Sequence, residues 1–113
     1  MKEKKEFMEE KSSGSETMTR VELSQLHQTT CDKARELQTL KNHDYATEGD
    51  PFRNFRMFGT FGILVRLSDK LARLRSFEEN GEFAVRNEQV EDTVMDIINY
   101  AVLYLGMKSE NSL

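Results

Sequence analysis

Residues 87–105 read NEQVEDTVMDIINYAVLYL. Apolar side chains recur here at helical rather than alternating spacing, so the segment predicts a helix that is apolar around most of its circumference. One polar stripe interrupts it. Asp92, Asp96 and Asn99 stand at i, i+4 and i+7, which directs all three to one side. Two carboxylates and an amide buried without partners cost roughly several kcal/mol. Kept among Val94, Ile97, Ile98, Ala101, Val102 and Leu105, they call for something to hold: a divalent cation, a basic side chain or a polar ligand.

Working backwards along the chain, EENGE at residues 78–82 is turn chemistry, and Asn87 is placed to cap the helix with Glu88 and Glu91 in its positive first turn. Gly106 is placed to end it. A second helix is predicted over roughly residues 57–77, with Phe58, Phe61, Leu64, Val65, Leu71 and Leu74 as apolar content. Arg66, Asp69, Lys70 and Arg73 follow the i, i+3, i+4, i+7 rule and make its polar stripe. The segment HDYATEGDPFRNF, residues 43–55, breaks the helical pattern around Gly49-Asp50-Pro51. Before it, a first helix starts at Thr19 or Ser24, either of which can cap it, and runs to about Asn42 with Leu23, Leu26, Ala34, Leu37 and Leu40 on its apolar stripe. Residues 1–18 are charged and then Ser/Gly-rich, and read as a mobile arm. The expected organisation is that arm, a single all-helical domain over 19–108 and a polar tail over 109–113. The fold class is all-α, a small bundle of three to four helices.

A chain of 113 residues, 37% hydrophobic and 32% charged, builds one small domain with a thin core, and such helical chains often complete the core by oligomerisation. A homodimer or homotetramer is therefore expected. The net charge of −4 argues against nonspecific binding to nucleic acid or anionic lipid. No apolar run approaches the ~18–20 residues of a membrane span, and MKEKKEFMEEKSSGSETM lacks the apolar stretch of a signal peptide. With a single cysteine, Cys31, no internal disulfide forms, and no Cys/His cluster has zinc spacing. The expected location is cytoplasmic.

Three constellations carry possible chemistry, each with a plainer alternative. Asp92, Asp96 and Asn99 suit Mg²⁺, which takes oxygen ligands from one or two carboxylates together with water and phosphate; equally, the two aspartates suit ion pairs with basic residues of the second helix. Arg66, Lys70 and Arg73 suit phosphate, since guanidinium forks match phosphate oxygens; equally, with Asp69 they make a solvated face of internal pairs. Two helices joined by a short turn pack antiparallel, which would set the first stripe against the second and gather acids, bases and an amide in one cleft, a mixture suited to a polyphosphate and its cation. In the loop, Tyr45, Phe52 and Phe55 could stack on a base whose edge Asn54 reads, or they could lid the core. Cys31 lies mid-helix without a flanking catalytic motif and reads as a packing residue. His27 and His43 have no metal-ligand partner at the right spacing.

The succession KNHDY, DPFRNF, R-x-x-D-K-x-x-R from Arg66 to Arg73 and EDTVMDIINYA from Glu91 to Ala101 resembles a phage and prophage group called nucleotide modification associated domain 1, over about residues 22–107. More broadly it resembles the MazG-like all-α nucleoside triphosphate pyrophosphohydrolases, which hold Mg²⁺ with E-x-x-E on one helix and E-x-x-D on the next. The resemblance places Arg66 and Asp69 on the first motif and Asp92 and Asp96 on the second, with Asp92 shifted by one residue. Arg66 stands where those enzymes have an acid, which implies fewer or weaker Mg²⁺ ions. It implies a Mg²⁺-dependent pyrophosphohydrolase-like protein acting on a (deoxy)nucleoside triphosphate or modified nucleotide. Asp69, Asp92 and Asp96 would hold the metal, and Arg66, Lys70 and Arg73 would steady the phosphates. Lys41, Asp44, Tyr45, Asn54 and Asn99 would bind the rest of the nucleotide. Two rival readings remain open: a sensor or sponge that binds nucleotide without turnover, and a protein that binds and inhibits a host protein in the host cytoplasm.

Overall fold

The computed structural model describes residues 17–45, 49–80 and 87–111. They form three long helices and one 3-10 turn, with no strand among the described residues. The protein is a small all-α bundle. Helix α1 spans Arg20–Tyr45, the 3-10 turn Arg53–Phe55, α2 Gly59–Asn80 and α3 Asn87–Asn111.

Thr19 starts α1, and Ser24 lies inside it. The Thr19 backbone N–H donates to the Glu22 carboxylate at 2.8 Å, and Thr19 Oγ1 accepts from the Glu22 N–H at 3.1 Å. This reciprocal pair satisfies two donors that a helix start otherwise leaves without partners. The helix begins in one compact unit, Met1–Thr30, and ends in a second, Cys31–Leu113, which holds the rest of the bundle.

Within the second unit, α2 and α3 pack against each other. They run antiparallel: Arg56, just before α2, meets Glu110 near the end of α3, whereas Lys70 in mid-α2 meets Asp96 in mid-α3. The inward stripe of α2 is Ile63, Leu67, Lys70, Leu74 and Phe77, at i, i+4, i+7, i+11 and i+14, and each is buried or half-buried. On α3 the buried positions are Thr93 and Met107. Thr93 hides its hydroxyl by donating to the Gln89 carbonyl one turn back, at 2.8 Å.

Three expected boundaries move. The first helix continues past Asn42 to Tyr45, and the second lies at Gly59–Asn80 rather than 57–77. The third does not end at Gly106 but continues to Asn111, so residues 109–111 of the expected tail are helical. Two contacts carry it onward: Met107 is buried, and Glu110 pairs with Arg56. Gly106 serves packing instead of capping. A Cβ placed there would stand 3.0 Å from the Phe52 ring tip, so the missing side chain is the seat for that ring. Of the expected arm at 1–18, residues 1–16 lie outside the described residues; of the expected turn at 78–82, residues 78–80 are instead the end of α2 and 81–82 lie outside the described residues, as do the side chains of Asn87 and Glu88.

Candidate functional site

The loop before α2 is a brace built around Asp50. Its Oδ1 accepts the Phe52 N–H at 3.1 Å, the side-chain-to-backbone turn that aspartate favours before a tight bend. Arg56 donates to both Asp50 oxygens, at 3.1 and 2.9 Å, and from the same guanidinium to both oxygens of Glu110, so it ties loop to helix end. The guanidinium also lies 5.2 Å over the Phe52 ring, whose edge sits on Gly106. Hydrogen bonding from Arg56 holds the Asp50 and Glu110 carboxyls below their ordinary range and pushes the guanidinium further up. Phe55, at the end of the 3-10 turn, meets Tyr100 of α3 edge-to-face, with ring centres 6.1 Å apart.

This brace walls a cleft of about 260 Å³. Helix α1 contributes Gln38 and Lys41, one turn apart on the same face. The loop adds Arg53, Asn54 and Phe55, and α3 adds Asp96, Asn99 and Tyr100. At its edge two cations converge on one anion: Lys70 Nζ lies 3.0 Å from Asp96 Oδ2, and Lys41 Nζ lies 3.7 Å from Asp96 Oδ1. Only about a fifth of the Asp96 side chain is exposed (22%), so water screens these pairs incompletely. Each ammonium has three donors, so the pair keeps N–H groups to spare and one positive charge in excess of Asp96.

The anticipated site residues divide accordingly. Lys41, Asn54, Asp96 and Asn99 come together in the cleft, and Lys70 reaches it through Asp96. From the two polar stripes expected to oppose one another, Lys70 and Asp96 meet in an ion pair. Arg66, Asp69, Arg73 and Asp92 are exposed and do not line the cleft. Asp44 and Tyr45 close α1, and their side chains lie outside the described residues. Gln38, Arg53 and Tyr100 line the cleft but were not anticipated from the sequence. Each lies beside a residue that was: Gln38 one turn before Lys41, Arg53 before Asn54, and Tyr100 after Asn99.

Asp69, Asp92 and Asp96 are not gathered into a three-carboxylate group, and among the described residues no three His, Cys, Asp or Glu side chains cluster where they could hold a metal ion. Both oxygens of Asp96 already face ammonium groups.

A family model described as nucleotide modification associated domain 1 matches residues 41–106, more than half of the 113. The chain belongs to this family. The nucleotide modification associated segment begins at Lys41 and ends at Gly106, so it takes in both lysines, the brace loop and the α3 wall of the cleft, and of the cleft residues named above leaves out Gln38. No curated protein and no solved structure matches the chain. No helix among the described residues is long and apolar enough to cross a membrane.

Proposed function

We propose that the protein binds a nucleotide in this cleft and releases it chemically unchanged. The observation that carries the reading is the convergence of Lys41 and Lys70 on Asp96 at the cleft edge. Two ammonium groups around one carboxylate leave the surplus positive charge and the free donors that a phosphate group needs. Arg53 adds a third cation from the loop. Asn54, Asn99 and Gln38 are amides that pair with the mixed donors and acceptors of a base edge, and the Phe55–Tyr100 ring pair offers an apolar wall for its face. The family's association with nucleotide modification supports the same ligand class. The engagement of both Asp96 oxygens, and the exposure of Asp69 and Asp92 away from the cleft, favour binding over Mg²⁺-dependent cleavage.

The test is a thermal-shift screen of nucleoside mono-, di- and triphosphates, with and without Mg²⁺, followed by phosphorus NMR of each hit. A ligand present at about 100 times its Kd stabilises the native state by about 2.7 kcal/mol, an easily measured rise in Tm. The expected result is a shift without Mg²⁺, intact nucleotide afterwards, and roughly tenfold weaker binding in Lys41→Ala and in Lys70→Ala, the loss of one charge-assisted contact each. Pyrophosphate appearing only with Mg²⁺, and abolished by Asp96→Asn, would establish the hydrolase instead.

A further inference from the structure

The lysines of the cleft converge on one point rather than spreading along a line. Lys70 Nζ lies 3.0 Å from Asp96 Oδ2, and Lys41 Nζ lies 3.7 Å from Oδ1 of the same carboxylate. They arrive from different helices, α2 and α1, so they can grip one group from two directions. The rest of the basic stripe of α2 does not join them: Arg66 and Arg73 are exposed and do not line the cleft. The charge is limited in the same way. The lysine pair exceeds Asp96 by one positive charge, and Arg53 in the loop adds one. Behind them Arg56 is shared between Asp50 and Glu110, so the brace adds no positive charge of its own. The space is short as well. The cleft's volume of about 260 Å³ falls below the ~300–1,000 Å³ typical of small-molecule sites.

We infer, on the reading of this cleft as a nucleotide site, that it selects a nucleoside monophosphate over the corresponding di- and triphosphate. A phosphate monoester carries about −1.5 to −2 charge at neutral pH, with three acceptor oxygens on one centre. That centre matches two ammonium groups that meet at one point, each with donors beyond those that Asp96 takes. Along α3, one turn from Asp96, Asn99 and Tyr100 stand with Asn54 and Phe55 of the loop, and they leave the nucleoside its place. Each further phosphate brings roughly one more negative charge and lengthens the ligand. A site for a polyphosphate meets it with cations set along its length. Here, among the described residues, the two lysines are gathered on a single carboxylate. Further phosphates would face that carboxylate or extend past Lys70 into water, where they gain little.

The test is calorimetric titration of the full chain with the nucleoside, the monophosphate and the triphosphate of each common base, without and with Mg²⁺. The expected order is monophosphate first, triphosphate about tenfold weaker and nucleoside about a hundredfold weaker. Asp96→Asn removes a negative charge beside the phosphate position and so favours the more highly charged ligand. It is expected to narrow the gap between mono- and triphosphate to about threefold. Arg66→Ala and Arg73→Ala are expected to leave both affinities within about twofold. A triphosphate that binds the wild-type chain as tightly as its monophosphate, with or without Mg²⁺, overturns the inference and leaves the nucleotide reading standing. So does a loss confined to the triphosphate in Arg66→Ala or Arg73→Ala, which would reveal a row of cations outside the cleft. Failure of every nucleotide to bind overturns the nucleotide reading, and the preference for one phosphate with it.

Discussion

The two sides of the α2–α3 hairpin treat their side chains in opposite ways. On the cleft side, charge is met by charge: Asp96 lies between Lys41 and Lys70, and Arg56 between Asp50 and Glu110. On the outer faces of α2 and α3, Phe61, Leu71, Val102 and Leu105 are exposed. The carboxylates of the cleft side thus meet cations within the chain, whereas several large apolar side chains on the outer faces of the helices are exposed. The difference follows from range and number. An ion pair needs only two side chains of adequate reach, but a core needs enough converging apolar area to offset the ordering of the chain, and the three described helices, of 26, 22 and 25 residues, supply little.

The sharpest way to break the comparison is to cut into the side that is already closed. Ile63 is fully buried between α2 and α3, so Ile63→Ala is expected to cost about 2–5 kcal/mol in chemical denaturation. Val65→Ala, two residues along and 48% exposed, is expected to cost about 0.5 kcal/mol or less. The ratio of those two losses measures how different the two sides are in solution. On the cleft side, Asp96→Asn removes a negative charge beside the proposed phosphate position. Nucleotide binding, measured by calorimetric titration, is expected to strengthen on the order of fivefold, about 1 kcal/mol, with or without Mg²⁺; a metal-bridged ligand would instead be lost. Gly106→Ala sets two effects against each other, since alanine favours the helix while its Cβ crowds Phe52. Stability is expected to change by less than about 1 kcal/mol, while nucleotide affinity falls as the brace loop is displaced.

The smallest effect belongs to the exposed Arg56 brace. Asp50 and Glu110 are held below their ordinary values of 3.8 and 4.5. A carboxyl depressed by folding stabilises the folded state above its unfolded pKa, and that contribution disappears as pH falls through the lower folded value. The brace is therefore expected to be fully present at neutral pH and to fade below about pH 4, and to weaken with salt. Exposed pairs of this kind contribute little to global stability, so the readout is the Phe52 and Phe55 ring signals in NMR rather than Tm. Arg56→Gln is expected to remove the pH dependence of those signals.

Much of this architecture is legible in the sequence because helical periodicity and caps are local. The apolar repeat of residues 87–105 places α3, Thr19 starts α1, and the i, i+4, i+7 spacing of Asp92, Asp96 and Asn99 finds two cleft residues of three. Asp92 falls outside because its spacing fixes a side of the helix without fixing how far along that side the cleft extends. Asp69 and Lys70 are neighbours in the sequence, yet ~100° of rotation separates them on α2, and only Lys70 reaches α3. Gly106 misleads for a related reason. Glycine after an apolar run is the usual sign of a helix end, but here its value lies in a contact with Phe52, more than fifty residues earlier, and no local pattern encodes that contact. The exposed apolar face of α2 is in the sequence as well, where Phe61, Leu64, Val65 and Leu71 read as ordinary core. Only the structure separates them from Ile63 and Leu67.

The measurement that bears most directly on this two-sided account is a titration of the full chain, labelled with nitrogen-15, with the best nucleotide from the thermal screen. Amide signals are followed residue by residue. The account predicts shifts at Gln38, Lys41, Arg53, Asn54 and Asn99, and none along Phe61 to Ala72. Shifts concentrated along Phe61 to Ala72, or no shifts at the cleft with any nucleotide, would contradict it.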